Sequence, residues 1–123
     1  MSYEIIWEER GCYVRYFGHV DDEELARVRK ECYGDRRFED VLYILNDFRD
    51  CESLSTSPLR LNQRAVGDMF AKILNDKLKV AVVTDNPEIL KFADSYKNAA
   101  ADAYEIQVFA SLEEARHWSR ALA

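Results

Sequence analysis

Glycine and proline are scarce, at four and two of 123 residues. So few glycines leave little material for a phosphate-cradling loop, and no Gly-x-Gly-x-x-Gly, Walker A or Gly-x-Ser-x-Gly pattern occurs. No Pro-, Gly- or Ser-rich linker, internal repeat or low-complexity tract divides the chain, so one domain is expected over residues 1–123. No apolar run approaches the ~20 residues needed to span a bilayer. The opening MSYEIIWEER has neither the basic start nor the apolar core of a secretory signal. The three cysteines, Cys12, Cys32 and Cys51, are odd in number, about 20 residues apart and without a Cys-x-x-Cys pair. Neither a zinc ribbon nor a thioredoxin-type site is expected, and mostly buried free thiols in a reducing cytosol follow. Positive charge is also short: 17 basic against 23 acidic residues give a net charge of −6 and a pI near 4.9. Nucleic acid and anionic membrane are disfavoured as partners, since both need a basic surface.

What is present is an ordinary globular composition, 48% hydrophobic and 33% charged, enough for one core without a disulfide or metal. Tyr3 to Glu8 and Cys12 to Gly18 are β-prone runs around Glu9-Arg10-Gly11, which predicts a hairpin. Asp21 with Glu24 three residues on opens a helix carrying Leu25, Val28 and Cys32, and Gly34 stops it. Val41 to Asn46 and Val80 to Val83 are short, nearly continuous apolar runs, as in parallel strands covered on both faces. Between them Val66, Phe70, Ile73 and Leu74, with Met69 beside them, line one face of a long helix. Asn86-Pro87 starts another, with Ile89, Phe92, Ala93 and Tyr96 as its buried face. Tyr104 to Phe109 alternates as an edge strand does, and Ser111 to Glu114 is a capping box before Ala115, Trp118 and Leu122. The order β-β-α-β-α-β-α-β-α predicts an α/β fold: a five-stranded, mostly parallel sheet with an antiparallel N-terminal edge strand.

In such sheets sites gather at the carboxyl ends of the strands. Those ends carry His19 and Asp21, Asn46-Asp47 and Thr84-Asp85. Asp47 and Asp85, on neighbouring strands, form a candidate acidic site of the kind that holds Mg²⁺, although each also suits a loop cap. His19 could act as a base near Asp21, but no nucleophile can be placed against it. The other histidine, His117, reads as surface. Arg27, Arg29, Lys30, Arg36 and Arg37 form a basic cluster fit for an anion or, more simply, a solvated face. The turn Ser55-Thr56-Ser57-Pro58 starts a helix: a hydroxyl cap, then proline in the first turn. The dipole there favours anions, so a phosphate on one of these hydroxyls would make a switch.

The strand YILND, the polar loop FRDCESLSTS and the following helix resemble the core of STAS domains, the sulfate-transporter and anti-sigma-factor-antagonist family. KVAVVTDNPEILKFADS and VFASLEEARHWSRAL resemble that family's later units, so the likeness covers most of the chain. It is strongest to small bacterial stand-alone STAS-like proteins, whose fold is likened to lipid-binding CRAL-TRIO domains. The resemblance implies a non-enzymatic cytoplasmic module without cofactor. It would present the loop 47–58 and one sheet or helix face to a protein partner, switched at the turn Ser55, Thr56 and Ser57, with a second copy of itself as a further candidate partner. The family's Asp is absent from that turn, and Pro58 replaces its Gly. The resemblance also implies helices mainly on one side of the sheet, leaving Tyr3, Ile5, Tyr13, Tyr16 and Tyr43 as candidates for a partly exposed aromatic surface. Two alternatives stand beside this reading. One is a carrier of a small apolar ligand such as an acyl chain, drawing on Trp7, Phe17, Phe70, Phe92 and Trp118. The other, ranked last, is a metal-assisted enzyme using Asp47, Asp85 and His19.

Overall fold

The computed structural model describes residues 2–121. Its elements follow the expected order. β1 (Tyr3–Glu8) turns into β2 (Gly11–Asp21), and α1 (Asp22–Tyr33) and a 3₁₀ turn (Arg36–Glu39) lead to β3 (Tyr43–Ser55). Then come α2 (Pro58–Ala71), β4 (Lys79–Val83), α3 (Pro87–Ala99), β5 (Glu105–Phe109) and α4 (Leu112–Arg120). The sheet order is β1-β2-β3-β4-β5, antiparallel between β1 and β2 and parallel thereafter. The expected caps all form: Asp21, Ser57, Asn86 and Ser111 each accept a backbone N–H of the first helical turn. Leu122, assigned from sequence to the last helix, lies outside the described residues.

Strand alternation sends side chains to two unequal cores. One face of the sheet gives Val14, Tyr16, Ile44, Val80 and Ile106 to the main core, together with Leu25 and Val28 of α1 and Ile89 and Ala93 of α3. The other gives Tyr43, Leu45, Ala81 and Val83 to a smaller core closed by Ala115 of α4. The amphipathic α4 is fastened there through Glu8, whose two carboxylate oxygens each accept a hydrogen bond from Arg116 at 3.0 Å. Tyr43 donates its hydroxyl to the same carboxylate at 2.5 Å.

Three expectations are corrected. The polar stretch after Asn46 is not a loop: β3 continues through it to Ser55, paired with β2 as far as Asp21. Phe48 and Cys51 point inward while Arg49 and Asp50 point out, and Phe48 stacks on Tyr16 with ring centroids 4.3 Å apart. The pairing is irregular where register shifts flank Phe17 and Gly18: each leaves an extra residue on β3, and opposite them Gly18 of β2 adopts φ +66°. Second, the apolar face of α2 points outward. Val66, Met69, Phe70, Ile73 and Leu74 are exposed, whereas Ala65, Asp68 and Ala71 face the core. Third, Tyr3, Tyr16 and Tyr43 are buried; of the proposed aromatic surface only Ile5 and Tyr13 keep partial exposure. Tyr16 donates to Asn46 inside the main core, Tyr3 donates to Glu31 of α1, and α4 lies over the sheet face that carries Tyr43.

Candidate functional site

Only β2 and β3 pair beyond the middle of the sheet, since β4 stops opposite Asp47. They project as a two-stranded ribbon. At its tip His19 lies opposite Ser53 and Asp21 opposite Ser55. The chain then turns through Thr56 and Ser57 into α2. The three hydroxyls of this turn differ. Ser57 caps α2: its oxygen accepts the Arg60 N–H at 3.3 Å, and its own N–H donates to Asp22 at 3.0 Å. Ser55 and Thr56 are exposed, and neither side chain makes a hydrogen bond among the described residues. Asp21 lies opposite Ser55 and Asp22 accepts from the Ser57 N–H, while Glu52 is exposed three residues before Ser55 and Arg60 is held by Glu23 at 3.0 Å.

The other strand-end residues differ in their surroundings. Asp47 is buried on the α4 side, bound by Arg49 through both side-chain and backbone N–H groups and by the Tyr13 hydroxyl at 2.5 Å. Asp85 is exposed beyond the end of β4. No cluster of three or more His, Cys, Asp or Glu side chains arranged to hold a metal occurs among the described residues. Asp21 caps α1 rather than orienting His19. Sequence reasoning placed no nucleophile near His19, but the ribbon register brings Ser53 Oγ to 2.6 Å from its Nδ1. Both groups are at the solvent edge, and no carboxylate orients the imidazole among the described residues. His117 is exposed on α4, as expected. The basic cluster disperses: Arg29 turns inward to Asp68, Arg37 pairs with Asp35 and covers Trp7, and Arg27, Lys30 and Arg36 are solvated. All three cysteines are buried, with Cys12 and Cys32 sulfurs 3.8 Å apart.

Two carboxylates on the α4 side make stability depend on pH. Burial acts to raise the Asp47 carboxyl, but hydrogen bonds from Arg49 and Tyr13 outweigh it and hold the group below its ordinary 3.8. Burial likewise acts to raise the Glu8 carboxyl, but hydrogen bonds from Arg116 and Tyr43 outweigh it and hold the group below its ordinary 4.5. Burial and then the bond to Asp47 push Tyr13 up to about 12, so it stays a donor throughout. A depressed folded-state pKa contributes stability that is complete above the unfolded value and lost as pH falls through the folded one. Urea-unfolding free energy is therefore expected to drop as pH falls below about 4.5. Glu8→Gln should flatten that acid limb; a wild-type slope in the variant would show that Glu8 is not responsible.

A family model described as SpoIIAA-like matches residues 12–120. Among solved structures, the anti-sigma factor antagonist SpoIIAA in its unphosphorylated form superposes with a TM-score of 0.62 at 15% identity, over 98% of this chain and 99% of that one. The Bacillus cell fate determinant SpoIIAA in the phosphorylated form gives 0.62 and 15%, over 96% and 99%. A Shewanella loihica protein with a SpoIIAA-like fold gives 0.57 and 11%, over 94% and 90%. No curated protein matches the sequence. At these identities the structural likeness is one of fold.

Proposed function

The chain belongs to the SpoIIAA-like family, and from that footing we propose that it is a single-domain, cytoplasmic, non-enzymatic regulatory module that binds a protein partner through the outer face of α2 and is switched at the turn preceding it. One observation carries this reading. Beginning directly after Ser55 and Thr56, α2 turns Leu59, Val66, Met69 and Phe70 to solvent, continued by Ile73, which is 81% exposed. Large apolar side chains exposed together along one helix are what soluble proteins keep for partner surfaces. The acidic composition and buried thiols agree with a reducing, protein-rich compartment.

The turn supplies the control. Ser57 is committed to the cap, so Ser55 and Thr56 are the hydroxyls open to modification. A phosphate there adds nearly two negative charges beside Asp21 and Asp22. Arg60, in the first turn of α2, has an exposed pair with Glu23 that is weak enough to exchange. The modification would thus alter the charge at one end of the docking helix and leave its fold intact. The double variant Ser55→Asp/Thr56→Asp is expected to melt within a few degrees of wild type and to change recovery of a specific partner from host extract about tenfold. Ile73→Glu should abolish that recovery, and sedimentation velocity shows whether the partner is a second copy of this chain. Equal recovery of the same proteins by all three forms would overturn the proposal.

A further inference from the structure

Between α1, α2 and α3 lies a cleft of about 210 Å³ whose walls combine Leu25, Leu61 and Phe92 with Arg29, Arg60 and Arg64. Arg29 and Arg64 also border a water-sized void of about 20 Å³ against the sheet, beside Tyr16 and Asn46. The three guanidinium groups are unequally engaged. Arg29 donates to Asp68 and to the Arg64 carbonyl. Arg60 is held at the mouth by the exposed Glu23. Arg64 has no carboxylate partner among the described residues. Its guanidinium lies over the Tyr96 ring at 4.9 Å, and its Nε is buried with no hydrogen-bond partner. Buried donors in folded proteins are almost always satisfied, so an unpartnered Nε on a half-buried arginine that faces a cleft is an opening for an acceptor.

We propose that this cleft binds a small organic anion, a carboxylate or phosphate monoester on a compact apolar body, with Arg64 as its charge partner. The planar fork of an arginine matches both oxyacids, and hydrogen bonds to a charged group are the strong ones. Arg60 can join by leaving a solvent-screened pair. Phe92, Leu25 and Leu61 supply a surface for the body. Size limits the ligand: 210 Å³ is the room of about seven waters, below the ~300–1,000 Å³ of pockets for drug-sized molecules. Nucleotides and long acyl chains are too large. Asp22 also lines the cleft, and its engagement with the Ser57 N–H keeps one of its oxygens occupied.

The probes are phenyl phosphate and benzoate, with inorganic phosphate and neutral benzyl alcohol as controls. Calorimetry on the full chain should show saturable binding of one or both organic anions, tighter than inorganic phosphate and absent for benzyl alcohol. Which of the two binds tells phosphate from carboxylate chemistry. Amide and guanidinium NMR shifts on wild type should centre on Arg64, Leu61 and Phe92. Arg64→Gln should weaken binding about tenfold or more, while Arg64→Lys keeps part of it. Absence of saturable binding by either anion overturns the proposal. So does equal binding of benzyl alcohol or inorganic phosphate, shift changes confined to other elements, or wild-type affinity in Arg64→Gln. The wild-type shift map decides the matter even if that variant folds poorly.

Discussion

Asp68→Ala is expected to lower the stability of the fold by roughly 3–5 kcal/mol, the cost of leaving one member of a buried ion pair alone. Asp68 is 0% exposed on the inner face of α2. Its carboxylate accepts from Arg29 of α1, from the Tyr33 hydroxyl at 2.6 Å and from the Tyr96 hydroxyl of α3. One side chain thus ties three helices across the main core. Burial alone would push the Arg29 guanidinium down, yet its anionic and tyrosine neighbours hold it above its ordinary value, so the cation persists. Removing Asp68 strands that cation and leaves two tyrosine hydroxyls without an acceptor. Urea unfolding should show the loss as a lower midpoint with an unchanged slope. Asp68→Asn keeps an acceptor but not the counter-charge and should fall between. The decisive comparison is Arg29→Met/Asp68→Leu, which removes charge and partner together and should regain most of the loss. An Asp68→Ala midpoint matching wild type would refute the assignment, and a double variant no better than the single would place the energy in packing instead.

This carboxylate also shows where sequence reasoning stops. The spacing of Val66, Phe70, Ile73 and Leu74 is helical and apolar, and a helix forms, but it ends at Ala71 and leaves Ile73 and Leu74 in the turn beyond it. Which face turns inward is a tertiary matter, and here three hydrogen bonds to Asp68 outweigh the wider apolar stripe on the other side. The sheet was legible because its signals are local: β-branched runs, capping residues before each helix and a change of period between elements. The reach of β3 was not, because residues 47–55 carry the polarity of a loop. Their extended form depends on β2, a partner 34 residues away at Ser53 and His19. The same dependence hid the His19–Ser53 contact and the burial of Asp47. The turn at Ser55 to Ser57 was readable, since a hydroxyl before Pro58 is a local helix-start signal. Which hydroxyl stays open was decided by Asp22 and Arg60, one distant and one near.

Gly11→Ala is expected to cost roughly 2–4 kcal/mol, combining overpacking with loss of a charged hydrogen bond. A Cβ at Gly11 would sit 2.1–2.4 Å from three ring carbons of Tyr43, its cross-strand partner. Carbon atoms need about 3.5–4.0 Å, so the ring must move by more than an ångström. It cannot move freely, being 3% exposed and joined through its hydroxyl to Glu8. Glu8 in turn holds Arg116, so displacing Tyr43 weakens the attachment of α4 to the sheet. Trp118, packed beside Phe109 on that helix, reports the change. Its fluorescence should shift at lower urea in Gly11→Ala than the far-UV signal of the sheet does. A steric cause predicts strong coupling: in Tyr43→Leu, which opens the space above Gly11, adding Gly11→Ala should cost little. In Tyr43→Phe, which keeps the ring and removes only the hydroxyl, the full clash should remain. Equal costs of Gly11→Ala in all three backgrounds would mean that the glycine is required for its backbone rather than for the ring that lies on it.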